Sequence, residues 1–132
     1  MKGYSVNIEK ATIANTNFRK VLYTGKHSQL VLMNLLPKED IGMEVHPDND
    51  QFFRFEKGEG KCLVDGHKYT VSDGFAIIIP AGAKHNIINT SATKPLKLYT
   101  VYSPPHHKDG IVRSTKSEAE KNNKEFDGKT TE

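Results

Sequence analysis

Apolar and β-branched residues gather along the chain in short runs separated by turn residues, and no run carries a helical period. "KVLYTG" (20–25) ends at a glycine, and "QLVLMNLLP" (29–37) stops at a proline. "QFFRFE" (51–56) leads into the glycine-rich "KGEG". "KCLVDG" (61–66) and "HKYTV" (67–71) flank Asp65-Gly66, the signal of a two-residue hairpin turn. "FAIIIP" (75–80) reads as a buried strand, and "NIINT" (86–90) and "LKLYTVY" (96–102) complete the set. Such spacing predicts an all-β fold, a sandwich or barrel. "LVLMNLL" (30–36) is apolar on both faces. Its second face should therefore meet another sheet or another subunit, which makes a homodimer the expected assembly.

The pattern changes near the end. "STKSEAEKNNKEF" is poor in apolar residues, and Thr115-Lys116-Ser117-Glu118 fits a capping box, so a short helix is expected there, or else a tail. "DGKTTE" should be mobile. We divide the chain into a barrel over 1–112 and a C-terminal helix or flexible tail over 113–132. A length of 132 residues suits one domain with a sizeable core.

Charge changes this picture little. The net charge is +3, but lysines are interleaved with acids, and the 25 residues from Lys108 hold six of each sign. No basic stripe with interleaved aromatics grips nucleic acid. No apolar run approaches the ~18 residues of a membrane span. The start, "MKGYSVNIEK", lacks the apolar stretch of a secretory signal, and Cys62 has no second cysteine to pair with. A cytoplasmic protein is expected.

Candidate chemistry lies in two segments. In "GFAIIIPAGAKHNIIN" (74–89), Gly74, Pro80, Gly82, His85 and Asn89 are spaced G-x5-P-x-G-x2-H-x3-N. Gly74 opens a strand from a turn, Pro80-Ala81-Gly82 closes it, and His85 shares a face of the next strand with Ile87 and Asn89. The pattern resembles the second signature motif of the cupin family at every specified position. The family's first motif, G-x5-H-x-H-x3-4-E-x6-G, falls on "IGMEVHPDNDQFFRFEKGEG" (41–60) and the residues before it. Its closing glycine is Gly58, its glutamate position Gln51, its second histidine His46, its first histidine position Glu44 and its leading glycine position Lys38. The resemblance implies a cupin jelly-roll barrel across about 20–105, of the small single-domain kind likened to the cupin domain of mannose-6-phosphate isomerase.

It also implies a metal site. Glu44 and His46 share one strand face, and Gln51, Phe53 and Phe55 share a face of the next. Two histidines, one carboxylate and a neutral amide carry −1, the same charge as the family's three histidines and one glutamate. His46 and His85 are the surest ligands, then Glu44, then Gln51, which can coordinate or donate its NH₂ to a substrate. Mixed nitrogen and oxygen donors suit Fe, Mn, Ni, Co or Zn. The other reading is a metal-free hydrogen-bonded cluster that binds a small ligand. Phe53, Phe55, Ile77 and Ile79 are candidate apolar pocket walls.

Other residues read more plainly. His106 and His107, in "SPPHHKDG", belong to a polar loop stiffened by prolines, although a cap over the barrel mouth with one histidine reaching the site is the alternative. His27 and His67 should be on the surface, Cys62 in the core, and Arg54 outside the barrel. Tyr99 and Tyr102, on opposite faces of the last strand, are assigned to ordinary packing, with one of them lining the pocket as the alternative. The functional reading is a metal-binding enzyme of isomerase, lyase or oxygenase type acting on a small molecule. Glu44 would be the base if not fully coordinated. The alternative is a non-catalytic barrel holding a sugar-like ligand.

Overall fold

A computed structural model describes all 132 residues. Strands dominate: β1 (Arg19–Thr24), β2 (Gln29–Leu35), β3 (Glu44–Val45), β4 (Asp50–Lys57), β5 (Glu59–Val64), β6 (His67–Ser72), β7 (Ala76–Ile79), β8 (Lys84–Asn89), β9 (Leu96–Ser103) and β10 (Val112–Arg113). Two short helices, α1 (Ile8–Ala14) and α2 (Lys116–Lys121), flank them. All pairings are antiparallel. One sheet runs β10-β1-β2-β9-β4-β7 and the other β3-β8-β5-β6. Together they form the expected all-β jelly-roll barrel, and no helix is long and apolar enough to cross a membrane.

The core is the set of inward residues of both sheets. Val31, Met33, Leu35, Phe53, Phe55, Leu96, Leu98, Cys62 and Ile87 are essentially inaccessible. In β4, Gln51, Phe53 and Phe55 are buried while Phe52, Arg54 and Glu56 alternate outward, as strand geometry requires. Arg54 pairs there with Glu56 at 3.0 Å. Asp65 and Gly66 both take positive φ (46° and 83°), as the predicted hairpin needs. His27 and His67 are exposed. Burial pushes the Cys62 thiol up to about 12. We expect DTNB to leave the native protein unlabelled at mildly alkaline pH and to titrate one thiol in denaturant; labelling of the native protein would place Cys62 outside the core.

Three expectations need correction. The run 75–80 is not buried throughout: Phe75 is 51% and Ile78 67% exposed, so β7 lies at a sheet edge with one face outward. The second face of β2 carries a helix of the same chain and not another sheet. Leu32 lines a hollow with Ala11 and Ala14 of α1 and is 2% exposed. That helix went unread in the sequence, although Asn7 caps it by accepting from the Lys10 N–H. Lastly, the segment "DGKTTE" is docked. Thr131 brackets Thr24 with two hydrogen bonds, and Glu132 accepts from the Tyr23 hydroxyl at 2.7 Å. The predicted C-terminal helix is present, with Thr115 accepting from the Glu118 N–H at 3.1 Å.

Candidate metal centre

The site is assembled from two cross-strand pairs. Glu44 in β3 stands directly opposite His85 in β8. On the facing sheet, Gln51 in β4 stands opposite Tyr102 in β9. Side chains so paired are neighbours by geometry alone. His46 follows β3, and its backbone is fixed from the other motif: its carbonyl accepts from the Gly82 N–H at 2.9 Å. Asp50 accepts from the Ala81 N–H, also at 2.9 Å. The Pro80-Ala81-Gly82 turn is thus clamped to the segment that carries His46. Asn89, the last residue of the second motif, is structural. Its side chain donates to Leu35, Leu36 and Lys94 carbonyls and accepts from the Ser91 N–H.

One ligand atom each from Glu44, His46 and His85 lies within 4.8 Å of the others. His46 Nε2 and Glu44 Oε2 are 3.0 Å apart. Donors about 2.1 Å from one ion and at right angles to each other would be about 3.0 Å apart. His85 is 2% exposed. Its Nδ1 lies 3.0 Å from the Ala83 carbonyl, which can only accept, so the ring proton sits on Nδ1. Nε2 is left with a lone pair, buried and without a partner. Gln51 donates from Nε2 to Thr100 Oγ1 at 3.0 Å, and its Oε1 is likewise buried and unpartnered. Burial alone would raise the Glu44 carboxyl. The hydrogen bond from His46, with the Arg19 charge behind it, holds it below the usual carboxylate range. An anionic carboxylate, an imidazole with a free lone pair and a free amide oxygen form a donor set that fits a divalent transition ion.

The structure brings more to the site than the sequence reading did. The His106 ring lies 4.3 Å from that of His46 and 5.3 Å from that of Tyr102. His106 and His107 are therefore not a free loop. Buried Gln29 holds them: its Oε1 accepts both of their N–H groups, and its Nε2 donates to the His107 carbonyl at 2.7 Å. His107 Nε2 meets the Tyr102 hydroxyl at 3.1 Å. Burial, reinforced by the Arg19 charge, drives the His107 pKa down to about 2. Burial also raises the Tyr102 hydroxyl, so both stay neutral. Tyr102 lines the site, whereas Tyr99 packs outward against Phe52.

A cavity of about 270 Å³ opens beside these groups, lined by Glu44, His106, His107 and Arg19, with Phe18 and Ile41 among its apolar walls. The α2 residues Lys116 and Ala119 close its outer side, and Lys116 is held by Asp40 at 2.6 Å. Phe53, Phe55, Ile77 and Ile79 do not line this cavity. Phe53 reaches the site edge-on to His85 at 6.5 Å, and Phe55 and Ile79 are core. Arg19 went unnoticed in the sequence. Its signal was parity: it is two residues before inward-facing Val21.

The family model for the cupin domain matches residues 31–102. Among curated proteins, the uncharacterised protein YrkC of Bacillus subtilis (strain 168) is 48% identical over 124 residues, covering 89% of this chain and 66% of its own length. The uncharacterised protein L612 of Acanthamoeba polyphaga mimivirus is 51% identical over 112 residues, covering 83% of this chain and 70% of its own length. Among solved structures, that of BH2720 from Bacillus halodurans is similar at a TM-score of 0.89 and 43% identity, over 92% of this chain and 96% of that one.

Proposed function

The chain belongs to the cupin family, and on that premise we propose that it is a metal-dependent enzyme acting on a small molecule at the barrel mouth. His46, His85 and Glu44 would hold a divalent transition ion (Fe, Mn, Ni, Co or Zn), with Gln51 adding an oxygen through Oε1. The observation that supports this most directly is the His85 ring. Its Nδ1 is committed to Ala83, while its buried Nε2 has no protein partner. A buried acceptor without a partner costs stability unless something outside the chain satisfies it.

When bound, the ion would polarise a carbonyl or hydroxyl oxygen of the substrate. The chain's own residues do the rest. The apolar walls and α2 limit water at the cavity, and Tyr102 and Gln29 fix the His106 segment. With Glu44 committed to the ion, His106 is the imidazole placed to take or return a substrate proton. This favours isomerase or lyase chemistry; an oxygenase would need iron and two open positions.

The test is the metal content of protein purified without chelators, with thermal melts before and after stripping. One ion per chain is expected. At a hundred times its Kd, an ion adds about 2.7 kcal/mol, so removal should lower Tm by on the order of 10 °C. Stoichiometric iron would move the reading to an oxygenase. No ion, with an unchanged melt of His46→Ala/His85→Ala protein, would move it to a non-catalytic barrel that binds a small ligand.

A further inference from the structure

Arg19 is a buried cation without a partner. β1 turns its side chain inward, and the residue is 7% exposed. The guanidinium takes part in none of the ion pairs, and Nε is buried with no hydrogen bond. It lies over the Phe18 ring, with Cζ 5.4 Å from the centroid. The other buried cation, Lys97, contrasts with it: its Nζ donates to the Asn15 carbonyl at 2.6 Å and to Asn34 Oδ1 at 3.0 Å. Buried charges are normally paired, and a guanidinium offers five donors in a planar fork.

Arg19 also faces the site. It lines the 270 Å³ cavity with Glu44, His106 and His107. Its charge acts on Glu44, Tyr102, His106 and His107 alike. The remaining charged groups on the cavity are Lys116, already tied to Asp40, and exposed Glu120 on α2.

We propose that Arg19 anchors the carboxylate of a small ligand whose second oxygen reaches the Glu44–His46–His85 centre. Only the second contact rests on the metal reading above. A carboxylate matches the fork in shape and in charge, one anion for one free cation. A phosphate dianion would bring a second negative charge near Glu44, and the other basic side chain on the cavity, Lys116, is already paired with Asp40. The volume sits just below the ~300–1,000 Å³ of sites for drug-sized ligands, so the ligand is small.

Titration calorimetry tests this on Mn(II)-loaded and on chelator-stripped protein. The probes are acetate, glycolate and malonate, each against its neutral amide, together with inorganic phosphate. Glycolate or malonate should bind loaded protein about tenfold or more tighter than its amide. Arg19→Met should erase that preference in protein that still takes up Mn(II), and Arg19→Lys, which keeps the charge without the fork, should recover part of it. The proposal is overturned if wild type shows no preference for any carboxylate, if Arg19→Met keeps the preference, or if phosphate outcompetes all three. If wild type takes up no Mn(II), the metal reading fails alone. Acetate against acetamide on stripped protein then decides Arg19: a preference upholds the anchor and none overturns it. Should Arg19→Met fail to fold, the wild-type comparison and Arg19→Lys decide.

Discussion

Replacing His85 with alanine will raise the Kd for a divalent transition ion by more than about a hundredfold. Loss of an outer-shell partner alone typically costs 10- to 100-fold, and removal of a ligand should exceed that. His85 should matter more than a flexible surface ligand would. It is buried, its tautomer is set by the Ala83 carbonyl, and its strand register places it opposite Glu44. Without its nitrogen, Glu44 and His46 are two donors that already satisfy each other at 3.0 Å. Competition against a chromophoric chelator measures the change, and circular dichroism confirms that the barrel persists. The ring adjoins Phe53, so some stability will also be lost, on the order of 1–3 kcal/mol. A folded alanine variant with wild-type affinity would remove the metal centre from this face of the barrel.

The residues of this site were legible in the sequence to unequal degrees, for a physical reason. His85 is announced by its neighbours, because the turn before it needs Gly and Pro at set places; Gly74 and Gly82 do adopt positive φ, 85° and 87°. Glu44 and His46 followed from register, since residues two apart on a strand share a face. Lys38 stands where the family motif has glycine, yet its backbone keeps a left-handed φ of 66°. The turn survived the loss of the residue type that would have announced it.

Arg19 and His106 carry no such local signature. Each reaches the cavity from its own element, and only tertiary structure brings them within reach of Glu44. His106 depends on Gln29, 77 residues earlier. The helix α1 was missed because seven residues are too few to be stable alone. Packing on the outer face of the large sheet supplies its stability, and a local window does not contain that information. The "FAIIIP" run misled for a similar reason: its apolar residues do not say that the strand lies at a sheet edge.

Gly58→Ala will destabilise the fold by about 3 kcal/mol, lowering Tm by on the order of 10 °C. Gly58 closes the first motif and ends the β4–β5 turn at φ 104°, a conformation costing an L residue about 1–2 kcal/mol. Space adds to the cost. A Cβ at this position would lie 2.5 Å from the Pro95 carbonyl oxygen and 3.1 Å from Leu96 Cα, so backbone must move. Gly66→Ala separates the two causes: its φ is 83° but nothing lies within 4 Å of the added carbon. That variant should lose only the conformational part, about 1 kcal/mol. Thermal melts of the pair measure the difference, and equal losses would show that the approach to Pro95 contributes nothing. The consequence reaches the site because Leu96 opens β9. Any shift there disturbs the β4–β9 register that sets Gln51 opposite Tyr102. Gly58→Ala should therefore also weaken divalent-metal binding below its melting temperature, while Gly66→Ala leaves it unchanged.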